Sequence, residues 1–128
     1  MYRATELTFN DLSFTNLARC RRWHPGFPLD DWTGADWGNA AAGEMGEACN
    51  VVKKLRRLDV GHPGANDPGM LELVDQLGEE IADTVIYLDL LAQHYGIDLP
   101  AAIVAKFNAV SVREGFPERL GGEAGEAA

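Results

Sequence analysis

Residues 70–95, MLELVDQLGEEIADTVIYLDLLAQHY, decide the fold because their apolar side chains recur at the spacing of one helix face. This stripe consists of Leu73, Leu77, Ile81, Val85 or Thr84, Leu88 and Leu91. Gly96 follows, and glycine commonly ends a helix. At about 1.5 Å per residue, a helix over 70–95 is about 39 Å long, which is typical of a helical bundle.

Three further segments carry helical patterns, and they lie at residues 10–23, 35–58 and 99–114. In the second of them, the apolar face is formed by Ala41, Met45, Ala48, Val52 and Leu55. Loops rich in glycine and proline separate the segments, and no stretch alternates strictly enough to predict a sheet. The sequence therefore predicts an all-α fold, a helical bundle of four main helices.

The length of 128 residues fits one domain. We predict a single helical domain over residues 1–120. The remaining residues, 121–128, are small, acidic and rich in glycine, and this composition predicts a disordered tail.

The charge and composition exclude several classes of protein. Acidic residues outnumber basic residues by 20 to 11, and the net charge of −9 argues against binding of a nucleic-acid polymer. The apolar stretches are too short for a membrane span, and the N-terminus lacks the apolar core of a signal peptide. Cys20 and Cys49 make no disulfide framework, so we expect a soluble cytoplasmic protein without a membrane partner.

Four acidic residues form the pattern that is most informative about function. Glu44 and Glu47 are three residues apart in the second predicted helix, and Glu80 and Asp83 are three apart in the third. Residues at this spacing share a helix face, with Cβ atoms about 5–6 Å apart. Because each pair borders an apolar face, two antiparallel helices would bring the four carboxylates together.

A cluster built only of oxygen ligands suits Mg²⁺ or Mn²⁺. The sequence has no Glu-x-x-His pair, which removes the nitrogen ligands of a di-iron bundle. His24, His62 and His94 are scattered, and we expect them in loops or on the surface. Gly43 and Gly46 each cost the helix about 1 kcal/mol relative to alanine, so they predict the close approach of a second helix or a ligand.

A second interpretation of the acidic pairs stays open at this point. Carboxylates three residues apart are also common on solvated helix faces, and this chain is rich in acidic residues. Spacing alone does not decide between a metal cluster and a solvated surface.

The stretch GEMGEACNVVKKLRR at 43–57, followed by EEIADTVIYLDLLAQHYGIDLPAAIVAKFNAVSVREGFPERL at 79–120, resembles the MazG-like all-α nucleoside triphosphate pyrophosphohydrolases. The shared pattern is E-x-x-E, then E-x-x-D in the context E-E-x-x-D-x-x-x-Y-L, then D-L-P and K-x-N. The resemblance covers residues 37–120. The spacer at 48–79 is longer than is usual in the family, which affects the expected shape of the substrate pocket more than the metal site.

The resemblance implies an enzyme that hydrolyses a nucleoside triphosphate to the monophosphate and pyrophosphate, as nucleotide-pool housekeeping. Its implied cofactor is Mg²⁺, with Mn²⁺ able to replace it. By position, the metal ligands would be Glu44, Glu47, Glu80 and Asp83. A carboxylate free of metal contact would accept the proton of the attacking water, and our choice for that catalytic role is Glu47.

The resemblance also implies residues that contact the substrate. By position, Lys106, Asn108 and either Lys53 or Lys54 would lie near the phosphates and the nucleotide. On the chemistry of the reaction alone, Lys53, Lys54, Lys106 and Arg113 are the candidates to steady the departing pyrophosphate. Aromatic residues offered for a base pocket are Trp23, Phe27, Trp32 and Trp37, and Trp37 is the most interesting because it precedes Glu44 on the same predicted helix. Solvated or helix-end roles for the basic residues and core roles for the tryptophans are the plainer alternatives.

Relatives in this family assemble as dimers or dimers of dimers, so we expect a homodimer or a homotetramer. Two other functions stay open. One is a non-catalytic helical module that binds nucleotide and Mg²⁺ or serves as a partner subunit. The other is a structural interaction domain, which would leave the acidic pairs and the two glycines unexplained.

Overall fold

A computed structural model describes residues 2–121, and within that range it contains four α-helices and no β-strand. The helices are α1 (Phe9–Trp23), α2 (Gly34–Asp59), α3 (Met70–His94) and α4 (Leu99–Glu114). The all-α prediction is confirmed, and each predicted boundary lies within one residue of the observed one. None of these helices combines the length and apolar character needed to cross a bilayer. Of the predicted disordered tail, residues 122–128 lie outside the described residues.

Side chains just before α1 and α2 explain where these two helices begin. Thr8 and Asp11 form a capping box at the start of α1, and Thr33 and Asp36 form the same arrangement at the start of α2. The hydrogen bonds from Thr33 also lower the pKa of Asp36. These contacts satisfy backbone N–H groups that the first turn of a helix leaves unpaired.

Helices α2 and α3 form an antiparallel pair at the centre of the molecule. The rings of Trp37 and Tyr87 lie 6.4 Å apart, centroid to centroid, and carboxylate oxygens of Glu44 and Glu80 lie within 4.8 Å of each other. These two pairs are seven residues apart on both helices, so the two helices keep one register. Cys20, Trp37 and Leu90 form the buried core at the end of the pair where Trp37 lies.

The buried face of α2 differs from the predicted one. Ala41 and Ala48 are buried as expected, but Met45 and Val52 are 51% and 49% exposed. The buried face instead passes through Trp37, Ala41, Glu44, Ala48 and Val51, of which Glu44 is half-buried. The prediction was wrong at Met45 and Val52, where the residue just before each one, Glu44 or Val51, faces the interior instead. The buried face of α2 therefore includes a carboxylate.

The apolar stripe predicted for α3 divides into two parts. Leu73 is buried and Leu77 half-buried, whereas Ile81, Val85 and Leu88 are exposed. The exposed part borders an open apolar groove of about 540 Å³ between α3, the first turn of α4 and the start of α1. Its lining residues include Phe9, Val85, Leu88, Leu91, Ile97 and Ile103. Helix α4 therefore lies beside the central pair without being packed along it.

Helix α1 is attached to α3 through the buried carboxylate of Asp89, which is 1% exposed. The Ser13 hydroxyl donates to one carboxylate oxygen, and the amides of Asn16 and Gln93 donate to the other at 2.9 Å each. A second hydrogen bond from Gln93 reaches the backbone carbonyl of Ser13 at 3.1 Å. Three donors thus satisfy a carboxylate that burial would otherwise make costly.

Candidate functional site

The acidic residues of α2 and α3 meet at the middle of the central pair. Carboxylate oxygens of Glu44, Glu80 and Asp83 all lie within 4.8 Å of one another. Glu44 and Glu80 are half-buried and Asp83 is exposed, so the cluster is open on one side. The structure thus brings together three of the four predicted ligands at distances that one cation can bridge.

The electrostatics of this cluster are unfavourable without a positive charge. Burial, the hydrogen bond with Glu44 and the neighbouring negative charges raise the pKa of Glu80 above its ordinary value of 4.5. Within residues 2–121, none of the four carboxylates has an ion-pair partner within 4.0 Å. Like charges that are crowded and unpaired in this way favour either a proton or a cation.

Glu47, the fourth predicted ligand, is exposed and lies outside the group of three. Its negative charge still contributes to the raised pKa of Glu80, so it lies near the cluster. Gly43 and Gly46 flank this part of α2, and a methyl group added to either would meet no atom within 4 Å. The expected close approach of a second helix therefore does not occur within the described chain, and the alternative of a ligand stays a prediction.

An aromatic pocket of about 320 Å³ lies farther along the same helix pair, near the start of α2 and toward the end of α3. It is lined by Trp23, His24, Trp32, Trp37, Tyr87 and Leu90. The ring centroids of Trp32 and Trp37 are 4.6 Å apart, and the His24 ring meets both indoles edge-on. The pocket therefore offers flat apolar faces that suit a planar ring.

The pocket and the carboxylates lie a fixed distance apart. Trp37 precedes Glu44 by seven residues on α2, and Tyr87 follows Glu80 by seven residues on α3. Seven residues of α-helix rise about 10.5 Å. Two turns of both helices therefore separate an aromatic site from an acidic one, on one surface.

Three of the four aromatic residues offered for a base pocket, Trp23, Trp32 and Trp37, line this pocket, and Phe27 does not. Phe27 is 71% exposed and lies on a separate surface depression beside Arg21 and Leu29. Tyr87 and His24 also line the pocket, and neither was predicted to do so. The position of Tyr87, seven residues after Glu80, was a signal that could have found it, whereas His24 was expected to lie in a loop or on the surface.

The predicted basic residues of α2 lie beyond the acidic cluster, toward the end of the helix. Lys53 is exposed and donates to the Asn50 side chain at 3.2 Å. Lys54 contributes, after the Gly64 backbone N–H and Arg57, to the lowered pKa of Asp67. Arg57 pairs with Asp67 and so holds the loop after α2, and Lys54 lies near the same carboxylate.

The predicted contacts on α4 make no hydrogen bond or ion pair with the four carboxylates within the described part of the chain. Lys106 is exposed, and Arg113 pairs with its neighbour Glu114. The Asn108 side chain donates to the Leu120 carbonyl at 3.0 Å and accepts from the Leu120 N–H at 2.7 Å. Both polar atoms of Asn108 thus hold the segment that follows α4.

The donor set fits a hard divalent cation. Three carboxylates with converging oxygens, a raised pKa and no basic partner in the described chain are what such a cation would stabilise. Carboxylate oxygens suit Mg²⁺ and Mn²⁺ alike.

Comparisons with known proteins do not extend this description. The sequence matches no protein-family model, and a search of curated proteins finds no similar sequence. The resemblance to MazG-like enzymes therefore stays a prediction that rests on the motifs alone.

Proposed function

We propose that this protein is a Mg²⁺-dependent nucleoside triphosphate pyrophosphohydrolase that cleaves its substrate to the monophosphate and pyrophosphate. The observation that carries the proposal is the pairing of a carboxylate cluster with an aromatic pocket two helical turns away. A nucleotide has the matching division, because one end is a planar apolar base and the other is a chain of anionic phosphates. The acidic motifs of the MazG-like family add support from the sequence.

The carboxylates would hold the cofactor and, through it, the phosphates. A triphosphate brings about four negative charges, which Glu44, Glu80 and Asp83 alone would repel. Mg²⁺ held by these residues would reverse the sign of the site, polarise the α-phosphorus and lower the pKa of a bound water. The open side of the cluster at Asp83 leaves room for the phosphates to approach.

Glu47 suits the role of general base. It is exposed and lies outside the group of three converging carboxylates, but near enough to influence Glu80. A carboxylate that is not occupied by the cation keeps an oxygen free to accept the proton of the attacking water. Lys53 and Lys106 are the exposed basic residues that we assign to the departing pyrophosphate.

The aromatic pocket would hold the base. Stacking of a base on an aromatic side chain is worth roughly 1–3 kcal/mol and tolerates different bases. Trp37 is buried at the floor of the pocket, while Trp23 and Trp32 are accessible from outside. The pocket would thus orient the base, and the helices would direct the phosphates toward the carboxylates.

A panel of ribo- and deoxyribonucleoside triphosphates with Mg²⁺, followed by phosphorus NMR, tests this proposal. Monophosphate and pyrophosphate from a preferred substrate would support it. Orthophosphate would mean attack at the terminal phosphate and would contradict the proposed reaction. Mg²⁺-dependent nucleotide binding without turnover would instead favour the non-catalytic module or partner subunit.

We also propose that the protein works as a homodimer or homotetramer in the cytoplasm. The chain exposes 9075 Å², whereas a compact monomer of 13.9 kDa exposes roughly 6,700 Å². Even if the eight residues outside the described range were fully exposed, at roughly 1,000 Å² in all, an excess of roughly 1,400 Å² would remain. This exceeds the roughly 800 Å² per partner of a standard stable interface.

The exposed part of the α3 stripe and the apolar groove beside α4 are the surfaces that we assign to this assembly. Replacing Val85 with glutamate should dissociate the assembly, as measured by sedimentation equilibrium, because the charge would be buried at the contact. Phe14→Glu is the control, because Phe14 is 80% exposed on α1 and does not line the groove. A monomeric wild-type protein would contradict the assembly without affecting the proposed reaction.

A further inference from the structure

One backbone oxygen connects three parts of the molecule around the aromatic pocket. The carbonyl of Leu29, in the loop between α1 and α2, accepts a hydrogen bond from the Trp37 indole at 2.9 Å. The same oxygen lies 2.6 Å from Nδ1 of His94, near the end of α3. A carbonyl oxygen has two lone pairs, and here each has a donor from a different helix.

The tautomer of His94 follows from the groups that surround this nitrogen. Nδ1 faces the Leu29 carbonyl and also lies 3.2 Å from a carboxylate oxygen of Asp30. Both neighbours are acceptors, so Nδ1 must carry a hydrogen. The imidazole is mostly buried, with 16% of its side chain exposed, so water competes little for this contact.

His94 continues the face of α3 that builds the pocket. Tyr87 and Leu90 line the pocket, and His94 follows them at the next positions of the same helix face. It does not line the pocket itself. Its contact with the Leu29 carbonyl oxygen instead holds the loop against α3. The same oxygen accepts from the Trp37 indole and so fixes the plane of that ring.

A second contact holds the neighbouring peptide of the loop. The Cys20 thiol donates to the Pro28 carbonyl at 3.0 Å. The Pro28 carbonyl is thus bound by a side chain of α1, and the next carbonyl, that of Leu29, is bound by side chains of α2 and α3. Trp32 and His24, which form the outer wall of the pocket, lie toward the two ends of this short loop.

We infer that His94 is a positioning residue that preorganises the aromatic pocket, by donating a hydrogen bond to the Leu29 carbonyl and so fixing the loop and the Trp37 indole. The identity of the ligand rests on the proposed function, whereas the orientation of the indole does not. A pocket that is already formed binds its ligand without a cost of ordering. His94 therefore acts on binding of the base and leaves the chemical step at the carboxylates unchanged.

Two variants of His94 separate its hydrogen bond from its bulk. His94→Leu keeps an apolar side chain but removes the donor. His94→Asn places an amide N–H near the position of Nδ1 and should restore the contact. Asp30→Asn is the matched control, because it removes the charge beside the same imidazole and leaves the Leu29 carbonyl in place.

The first readout needs no nucleotide. Trp32 and Trp37 lie 4.6 Å apart at an angle of 44°, so their coupled transitions give a circular dichroism signal that depends on their relative orientation. We expect this signal to be lost in His94→Leu, restored in His94→Asn and kept in Asp30→Asn. An unchanged signal in a folded His94→Leu variant would overturn the inference.

The second readout is the kinetics of the preferred nucleotide. His94→Leu should raise KM about tenfold with kcat within twofold, and His94→Asn should return KM toward the wild-type value. A fall in kcat with unchanged KM, or no recovery in His94→Asn, would overturn the positioning role. If the wild-type protein hydrolyses no nucleotide, the proposed function fails, and the dichroism of the tryptophan pair still decides the inference.

Discussion

Asp89 and Glu80 are carboxylates on the same helix, and the structure treats them in opposite ways. Asp89 is almost fully buried and accepts hydrogen bonds from Ser13, Asn16 and Gln93. Glu80 is half-buried, and the neighbouring charges that help to raise its pKa are those of other carboxylates. The more buried carboxylate is therefore the one that the chain supplies with donors.

The difference separates a carboxylate that belongs to the fold from one that suits the proposed cation. Donors around Asp89 come from α1 and α3 of the same chain, and they attach one helix to the other. Around Glu80, the described chain supplies negative charge and leaves one side open. A carboxylate whose donors come from the protein itself supports the fold, whereas one crowded by like charge is a candidate for a functional site.

The largest expected effect is on turnover. Asp83→Asn and Glu47→Gln should each lower kcat/KM at least about 1,000-fold, about 4 kcal/mol, because each removes a charge from the cation site or the base. Helical circular dichroism should stay unchanged. Glu79→Gln is the matched control, since Glu79 is exposed and next to Glu80 in the chain. Wild-type turnover in Asp83→Asn would remove that residue from the site.

Asp89→Ala tests the other side of the comparison. This substitution leaves three hydrogen-bond donors without their acceptor and loosens the attachment of α1. We therefore expect the free energy of unfolding, measured by urea denaturation, to fall by about 3 kcal/mol. Glu80→Gln in the presence of a chelator should not destabilise the protein, because it removes a repelling charge. Equal destabilisation by the two variants would break the distinction between them.

A comparison of the pH dependence of stability between wild type and Glu80→Gln tests the raised pKa of Glu80. Since folding raises the pKa of Glu80 above 4.5, its stabilising contribution is complete below 4.5 and is lost as the pH rises through the raised value. In chelator, we expect wild type to gain stability relative to Glu80→Gln as the pH falls from 7 toward 4.5. A constant difference in thermal midpoint would contradict the raised pKa.

The smallest expected effect concerns the open side of the cluster. Gly43→Ala and Gly46→Ala should each stabilise the helix by about 1 kcal/mol where nothing covers it, because the added methyl group meets no atom within 4 Å. Gly78→Ala is the control, since its Cβ would lie 2.7 Å from the Tyr2 ring. Destabilisation at Gly43 that appears only in the assembled protein would place a second chain there.

Helix boundaries could be predicted closely because local chemistry determines them. Asp98 accepts from the Ala101 N–H at the start of α4, and Gly115 ends that helix at a φ of 74° that favours glycine. These signals lie within a few residues of the boundary they specify. Side-chain pairs such as Glu44 and Glu80 were also predictable, because two helical patterns with acidic residues beside them favour a facing arrangement.

The packing faces were harder to predict. Met45 and Val52 are apolar and helically spaced, yet both are exposed, because apolar spacing marks any covered surface and does not say which neighbour covers it. Asp89 and His94 gave no signal, since their partners, Ser13 and Leu29, lie 76 and 65 residues away in the sequence. Contacts of that kind depend on the tertiary fold alone.

The shared register of α2 and α3 fixes the distance between the aromatic pocket and the carboxylate cluster. The step from Trp37 to Glu44 and the step from Tyr87 to Glu80 are the same number of residues, so no side-chain substitution alters the interval. If the pocket holds a base, as proposed, single mutations can reshape the aromatic end for a different ring without changing this interval. A site for a longer or shorter ligand would need insertions of equal length in α2 and α3 at once.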